Sequence, residues 1–274
     1  MTIRIVTDSA CDLPQYLVDQ YKISIVPLSV RFGEHEFIDR QDLTTEQFWK
    51  RCDSSPVLPE TAAPSPGQFE AEFRKLAAEG ATGIVMISLS GILSATMQSA
   101  ELAAKAVAGH ISVRVVDSRS GSMGQGITVI ACAKLAATGA SLDEVAAVGD
   151  NLAHRSKVWG ALDTLENLKK GGRIGGAKAM LASALSIKPI IEVVDGKIEE
   201  GGKQRTRSKA LAFLIEKVRD AGPIENLAVL QANCNDFEAF VESLREIYSG
   251  DIIVGDIGPI IGTHTGAGTI GVAF

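Results

Sequence analysis

The feature that most constrains the fold is a regular alternation of short β-rich runs with Ala-rich helical stretches in the first half of the chain. Residues 23–32 form a second strand region, and a proline-rich segment after it (Pro56, Pro59, Pro64, Pro66) predicts an extended connection. Strands that alternate with helices favour a parallel sheet covered by helices on both faces. The pattern predicts an α/β fold with an N-terminal three-layer α/β/α domain, with strands and helices at these positions: strands 3–9, 83–90 and 111–118; helices 69–78, 94–108 and 126–139.

After Leu142 the pattern changes. A helical stretch to His154 precedes a Gly-rich basic segment at 168–176, and two strands then flank a turn at Asp195-Gly196. In the rest of the chain we predict helices at 207–221 and 236–249, a strand at 227–232, and terminal strands from Ile252 onward. We therefore predict an N-terminal α/β domain at 1–155 and a C-terminal α+β domain at 156–274.

Charge and cysteine usage narrow the function classes. With 27 Lys and Arg against 33 Asp and Glu, the chain of 274 residues has a net charge of −6, which disfavours sequence-independent nucleic-acid binding. The cysteines lie far apart without C-x-x-C or Cys/His spacing, so we expect small buried hydrophobes rather than disulfides or a metal site: Cys11, Cys52, Cys132 and Cys234. The N-terminus lacks a signal peptide's apolar stretch, and no apolar run approaches the roughly 18 residues of a spanning helix. These features predict a cytoplasmic protein.

Two glycine-rich segments resemble nucleotide-binding motifs but lack essential parts. Gly266 to Gly271 matches G-x-G-x-x-G, yet only three residues follow it, so the helix and the acidic residue that the motif requires are missing. Gly171 to Lys178 resembles a P-loop, but Ala177 replaces the last glycine and Ala179 replaces the Ser/Thr that binds magnesium. Neither segment predicts a nucleotide site.

A serine hydrolase is the enzymatic alternative. Ser94, Asp117 and His264 occur in the order of α/β-hydrolase triads, but the sequence around Ser94 is not G-x-S-x-G. A chain of this length contains some such triple by chance. The alternative stays open, with esters of fatty acids as its substrates.

Hydroxyl side chains are concentrated where predicted strands end. They are Ser9, Ser88, Ser90, Ser94, Thr96, Ser118, Ser120 and Ser122. In a doubly wound sheet this edge forms the ligand crevice, so these hydroxyls can bind an anion such as a carboxylate; alternatively, they cap helices. His264, which we place between an apolar strand and a Gly-rich turn, can likewise donate to an anion or be structural.

Two basic segments either form solvated faces or an electropositive patch for a phosphate or an acidic partner. They comprise Lys169, Lys170, Arg173 and Lys178, then Lys203, Arg205, Arg207 and Lys209.

Taken together, the motifs resemble the DegV family of bacterial fatty-acid-binding proteins from one end of the chain to the other. They are TDSACDLP, ETAAPSPGQF, SLSGILSATMQSA, VVDSRSGSMGQG, LENLKKGGRIGG, SIKPIIEVVDGKI, KQRTRSKA and IGPIIGTHTGAG. The resemblance implies the two-domain fold predicted above, with an acyl-chain tunnel near the domain interface. It also implies a non-catalytic lipid carrier, without a cofactor, that presents a fatty acid to the ATP-binding subunit of a fatty acid kinase. The acyl phosphate formed there feeds phospholipid synthesis, and a transient membrane or acyltransferase contact is implied.

Residue by residue, the resemblance implies that Thr61, Ser94 and His264 bind the carboxylate. Arg173 and Arg205 match family arginines that serve the kinase encounter or phosphate handling. Three positions depart from the family pattern, namely Ala62, Ala95 and Ala267, but the hydroxyls and the imidazole are kept. An acyl chain of about 16 to 18 carbons gains about 0.8 kcal/mol per buried CH₂, so an apolar tunnel supplies most of the affinity.

Overall fold

The computed structural model describes residues 2–55 and 57–274, with side chains undescribed at 183–186; Pro56 of the predicted connection lies outside these residues. The strands are β1 (Ile3–Asp8), β2 (Ser24–Val26), β3 (Ser29–Phe32), β4 (His35–Ile38), β5 (Glu60–Ala62), β6 (Gly83–Ser88), β7 (Val113–Asp117), β8 (Val158–Ala161), β9 (Lys188–Val194), β10 (Lys197–Gln204), β11 (Leu227–Gln231), β12 (Ile252–Asp256) and β13 (Ile270–Ala273). The α-helices are α1 (Gln15–Gln20), α2 (Thr45–Ser54), α3 (Pro66–Ala78), α4 (Thr96–Val107), α5 (Met123–Ala137), α6 (Leu142–Arg155), α7 (Glu166–Lys170), α8 (Arg207–Asp220), α9 (Phe237–Arg245) and α10 (Pro259–Thr265). Two 3₁₀ segments cover Ser9–Cys11 and Gly175–Ser186.

The first sheet is parallel and has the strand order β2-β1-β6-β7. Its strands are apolar on both faces: Val6 and Met86 pack on α3 and α4, whereas Ile5 and Val85 pack toward α5 and α6. Burial on both faces is the reason these strands read as continuous hydrophobic runs in the sequence. The predicted three-layer α/β/α arrangement is confirmed.

The second sheet is mixed, with the order β10-β9-β8-β13-β11-β12, and only its β11–β12 pair is parallel. Helices α8 and α9 cover one face through Leu214 and Phe240. The predicted turn connects β9 to β10, where Asp195 and Gly196 have φ of 50° and 77°, as a type I′ hairpin requires. The α+β character of this half is confirmed, while the division at residues 155 and 156 stays a prediction.

Two predicted segments differ from the structure. Part of the proline-rich connection is strand β5, which joins β3 and β4 in a small antiparallel sheet where Thr61 pairs with Val30. The predicted terminal strands are interrupted by α10, because Pro259 occupies the first helical position, where its missing N–H costs nothing. His264 therefore lies in the last turn of a helix, and its placement beside a strand was wrong.

The two halves share one hydrophobic core. Met123 and Ile127 of α5 belong to the same cluster as Leu230 and Ala273 of the second sheet. The face of the second sheet that α8 and α9 leave uncovered thus packs against the first half of the chain, and a cavity lies along this junction. No helix among residues 2–55 and 57–274 is long and apolar enough to cross a bilayer.

Candidate functional site

A largely apolar cavity of about 220 Å³ lies between the carboxyl edge of the first sheet, α10 and the second sheet. One ordered water needs only about 10–15 Å³ on the same measure, so the space suits an extended ligand rather than a single water. Its apolar wall includes Leu28, Leu89, Leu93, Leu168, Ile191, Val193, Ile198, Leu230, Ile257, Ile260 and Ile261.

The second sheet provides a cavity floor with little side-chain bulk. Gly160 of β8 and Gly271 of β13 are direct partners in the ladder, and Ile191 and Leu230 flank them on the neighbouring strands. All four residues line the cavity. Because the paired glycines have no side chains, the sheet surface is recessed between the side chains of Ile191 and Leu230.

The structure brings Thr61, Ser94 and His264 to this cavity, and it adds Arg173. We call these four residues the head-group cluster. Thr61 Oγ1 and His264 Nε2 are 3.1 Å apart and share a hydrogen bond. Strand β5 positions the first residue and α10 the second, although they are 203 positions apart in the chain.

His264 has an unused polar atom. Its Nδ1 is buried and has no hydrogen-bond partner among the described residues. The ring packs against Gly171, where an added Cβ would lie 2.2 Å from Nδ1. Burial, together with the nearby charge of Arg173, lowers the pKa of the imidazole to about 4. The ring is therefore neutral near pH 7 and carries one N–H donor.

Ser94 precedes α4 and exchanges a hydrogen bond with Thr96, with 2.8 Å between the two hydroxyl oxygens. Its Oγ also accepts from the N–H of Thr96. The helix begins at Thr96 and not at Ser94, so the serine hydroxyl bonds the first helical residue, as a capping group does, and the serine also lines the cavity. Ala95 also lines the cavity, whereas Ala62 is exposed.

Arg173 lies at the cavity, where two backbone carbonyls accept hydrogen bonds from its guanidinium. Its Nε donates to the carbonyl of Leu93 at 3.1 Å and its Nη1 to that of Gly171 at 2.7 Å. These contacts hold the guanidinium at the cavity, close enough to influence His264. Arg205 is exposed just beyond β10 and does not line the cavity. The resemblance implied one role for both arginines, and the structure places Arg173 but not Arg205 at the cavity.

Other predicted polar residues have structural partners. Among the strand-end hydroxyls, only those of Ser94 and Ser122 line the cavity. Arg207 of the second basic segment forms a two-pronged ion pair with Asp236, at 2.8 and 2.9 Å, which lowers the pKa of that carboxyl. It therefore connects α8 to the loop before α9 and is not a free cation.

The hydrolase triad is not assembled. Asp117 accepts hydrogen bonds from the backbone N–H groups of Gly91 and Arg119, at 3.3 and 2.8 Å. His264 bonds Thr61, and the described residues show no hydrogen bond from it to Ser94 or Asp117. A triad needs the base to contact both the nucleophile and the acid.

The nucleotide-like motifs also have other roles. Gly266 and Gly268 adopt φ of 80° and 76° between α10 and β13, and no helix follows them.

The described residues contain no group of three or more His, Cys, Asp or Glu placed to bind a metal ion. Cys11, Cys132 and Cys234 are buried as expected, and Cys52 is half-buried.

A family model described as "Uncharacterised protein, DegV family" matches residues 2–274. The chain belongs to the DegV family. A DegV domain-containing protein of Streptomyces coelicolor is 35% identical, and the match covers 98% of this chain and 97% of the relative.

Solved DegV structures have the same fold. A DegV family protein from Thermus thermophilus, described for its fatty acid binding, is 34% identical with a TM-score of 0.90, covering 100% of this chain and 99% of that one. A stearic-acid-binding protein from Eubacterium ventriosum is 26% identical with a TM-score of 0.91, covering 99% and 97%. Both similarities extend through both halves of the chain, so the arrangement of the two sheets is common to these proteins.

The sequence alone missed two contributors to the site. Helix α10 was overlooked although Gly258-Pro259 is a helix-start signal. Gly171 was grouped with a basic segment, and no local pattern connects it to His264, which lies 93 positions later in the numbering (264 minus 171). This contact depends on the tertiary fold.

Proposed function

We propose that this protein binds one long-chain fatty acid, with its acyl chain in the cavity and its carboxylate at the head-group cluster. The observation that carries the proposal is an apolar cavity whose wall includes unused or adjustable hydrogen-bond donors at Thr61, Ser94 and His264. The two described DegV neighbours above bind fatty acids, one of them stearic acid.

The energetics favour this class of ligand. Each buried CH₂ contributes about 0.8 kcal/mol, so a long chain gains most of its affinity from the wall and the glycine floor. A carboxylate removed from water needs hydrogen bonds and a nearby positive charge. Two hydroxyls and one neutral imidazole supply three donors when the carboxylate replaces the hydrogen bond between Thr61 and His264, and Arg173 supplies the charge. Binding needs no general base, metal or other cofactor.

The second part of the proposal is that the protein presents the fatty acid to the ATP-binding subunit of a fatty acid kinase. The cavity shares Leu93, Ser94, Ala95, Arg173 and Ile198 with a surface depression that also contains Lys197. A partner seated there would reach the carboxylate without entering the acyl channel. Arg205 is exposed and free to contact an acidic partner. The acyl phosphate would then be used in phospholipid synthesis in the cytoplasm.

The binding proposal is tested by denaturing mass spectrometry of protein purified from a bacterial host. We expect one fatty acid released per chain, and restored occupancy when delipidated protein is given fatty acid. Protein that is repeatedly empty and ignores added fatty acid would contradict the proposal. A fluorophosphonate added to the same sample should not label Ser94. Labelling of Ser94 would indicate the activated serine of a hydrolase.

The kinase proposal is tested separately, by adding a fatty acid kinase subunit and ATP to the loaded protein. We expect acyl phosphate, and slower formation with Arg205→Ala, with a stronger effect at low salt. Equal rates of acyl phosphate formation by this variant and the parent would show that Arg205 does not contribute to the encounter with the kinase subunit.

A further inference from the structure

Asp12, within the TDSACDLP motif, is a buried carboxylate to which the proposed function assigns no role. Its side chain is 4% exposed. One oxygen, Oδ1, accepts from the backbone N–H of Gly258 at 2.9 Å, and the other, Oδ2, accepts from the hydroxyl of Ser122. Its two partners are 110 and 246 positions away in the chain, so the carboxylate connects three distant segments.

Each partner is the residue immediately before a helix, and one of the two helices, α10, lines the cavity. Gly258 is the residue before α10, the helix that places Ile260, Ile261 and His264 on the cavity wall. Ser122 is the residue before α5, and it lines the cavity itself. Asp12 thus fixes the start of α10 relative to the first domain, two turns before His264.

The backbone at both ends of the Asp12–Ser122 contact has an uncommon conformation. Asp12 has φ of 50° and ψ of 27°, and Ser122 has φ of 50° and ψ of −140°. Non-glycine residues rarely adopt these conformations unless surrounding contacts enforce them. A second bond, from the N–H of Ser122 to the carbonyl of Ala10 at 2.8 Å, reinforces the junction.

The packing leaves this junction little freedom. A Cβ added at Gly258 would lie 3.1 Å from Asp12 Oδ1, and one added at Gly255 would lie 3.0 Å from the Asp12 carbonyl oxygen. Strand β12 and the loop that connects it to α10 therefore pack directly against Asp12. Removing the carboxylate leaves the Gly258 N–H without its acceptor.

We propose that Asp12 is a positioning residue for the head-group cluster, which holds α10 so that His264 faces Thr61 and the bound carboxylate. The inference rests on the proposed fatty-acid function. It predicts that Asp12 influences recognition of the carboxylate and not of the hydrocarbon chain, although it touches neither.

The test compares the affinities of delipidated protein for hexadecanoate and for hexadecanol, which has the same chain but no charge. The acid-to-alcohol ratio cancels chain contacts and general destabilisation. We expect the parent to prefer the acid, and Asp12→Ala to reduce that preference about tenfold. Asp12→Asn should rescue most of it, since the amide can accept from Gly258 and donate to the Ser122 oxygen.

Asp39→Ala is the matched control. Asp39 is similarly buried, at 2% exposed, and lies close enough to Asp12 to add to the effect of burial, which raises the pKa of the Asp12 carboxyl. The carboxyl of Asp39 itself bonds Ser9 and contacts neither the start of α5 nor that of α10, so this control separates loss of a nearby buried charge from loss of the contact itself. Its loss should destabilise the fold and leave the acid-to-alcohol ratio unchanged. If Asp12→Ala does not fold, Ser122→Ala removes one arm of the contact and should lower the ratio about threefold; an unchanged ratio in the folded variant overturns the proposal.

Nuclear magnetic resonance of His264 supplies an independent readout. In ligand-free parent protein the imidazole pKa is about 4, and displacement of α10 in Asp12→Ala should raise it as the ring gains water. Asp39→Ala should not move it. An Asp12→Ala protein with the parental His264 titration and acid preference overturns this inference alone, whereas a parent without acid preference overturns the head-group assignment as well.

Discussion

Two groups of polar side chains line the same cavity and differ in how completely their hydrogen bonds are used. In the head-group cluster, His264 Nδ1 has no partner among the described residues, and the hydroxyls of Thr61 and Ser94 exchange hydrogen bonds with side chains that can reorient, although Ser94 Oγ also accepts from the Thr96 N–H. In a second group, the closed cluster of Ser122, Thr265 and Thr269, every hydroxyl donates to a fixed acceptor. Thr265 donates to the carbonyl of Ile261 and Thr269 to that of Thr265.

The difference shows why polarity of the lining alone does not locate a carboxylate. A buried donor that already has an acceptor gains nothing from a ligand, whereas an unused or adjustable donor recovers the cost of its burial when an anion arrives. Under the proposed function, the head-group cluster binds the carboxylate and the closed cluster is part of the channel for the acyl chain.

The largest expected effect comes from removing the imidazole. His264→Phe keeps a ring of similar size but no donor, so fatty-acid affinity should fall by about 1.5–3 kcal/mol, the usual cost of one hydrogen bond to a charged group. Isothermal titration of delipidated protein measures the loss. The matched change in the closed cluster, Thr269→Val, should leave affinity nearly unchanged; a similar loss in both variants breaks the comparison.

Gly171→Ala should have the next largest effect. The added methyl would lie 2.2 Å from His264 Nδ1 and would displace the ring, although Gly171 has an ordinary φ of −73° and suffers no backbone strain. We expect about a twentyfold loss of fatty-acid affinity, near 1.8 kcal/mol, with little change in thermal stability. Gly172→Ala is not a suitable control because its φ is 71°; Gly67→Ala, at an exposed position of α3 without a positive φ, is suitable.

Ser94→Ala should cost less than His264→Phe. Its hydroxyl already exchanges a hydrogen bond with Thr96, so the ligand gains only the difference between two acceptors. A loss near the lower end of the range, about 1.5 kcal/mol, is expected in the same titration. A larger loss than that of His264→Phe would make Ser94 the principal donor and reverse our ranking.

The smallest effect separates the two arginines. Arg173→Ala removes a partly solvated charge beside the cluster and should weaken fatty-acid binding by up to about 1 kcal/mol, less at high salt. Arg205→Ala should leave binding unchanged, because Arg205 is outside the cavity. Fatty-acid affinity measured at two salt concentrations tests this difference. Equal affinities of the two variants at both concentrations would mean that Arg173 and Arg205 do not differ in their contribution to binding.

Much of the fold could be predicted from the sequence. Strands buried on both faces, such as β1 and β6, are continuous apolar runs, and the Asp195-Gly196 turn has a specific chemical signal. Helix α10 has only seven residues and begins with Pro259, Ile260 and Ile261, so its apolar residues resembled a continuation of the preceding strand. Strand β5 was missed because three residues among prolines show no period.

The sequence predicted the residues of the site better than it predicted the contacts between them. Thr61 was chosen through a family motif, Ser94 and His264 also from their positions at a strand end and beside a Gly-rich turn, and their common cavity appears only when β5, the β6–α4 loop and α10 converge. The distinction between Ser94 and Ser122 has no local signal, because it depends on whether Asp12 accepts from the hydroxyl. Hydrogen-bond satisfaction is a tertiary property.

The most direct test of the central claim is nuclear magnetic resonance of bound fatty acid isotopically labelled in its carboxyl carbon. The account predicts one carboxyl signal, close in space to the His264 ring protons, which shifts in His264→Phe and not in Thr269→Val. A carboxyl signal that responds to Thr269→Val and ignores His264→Phe would place the head group at the closed cluster and contradict the account.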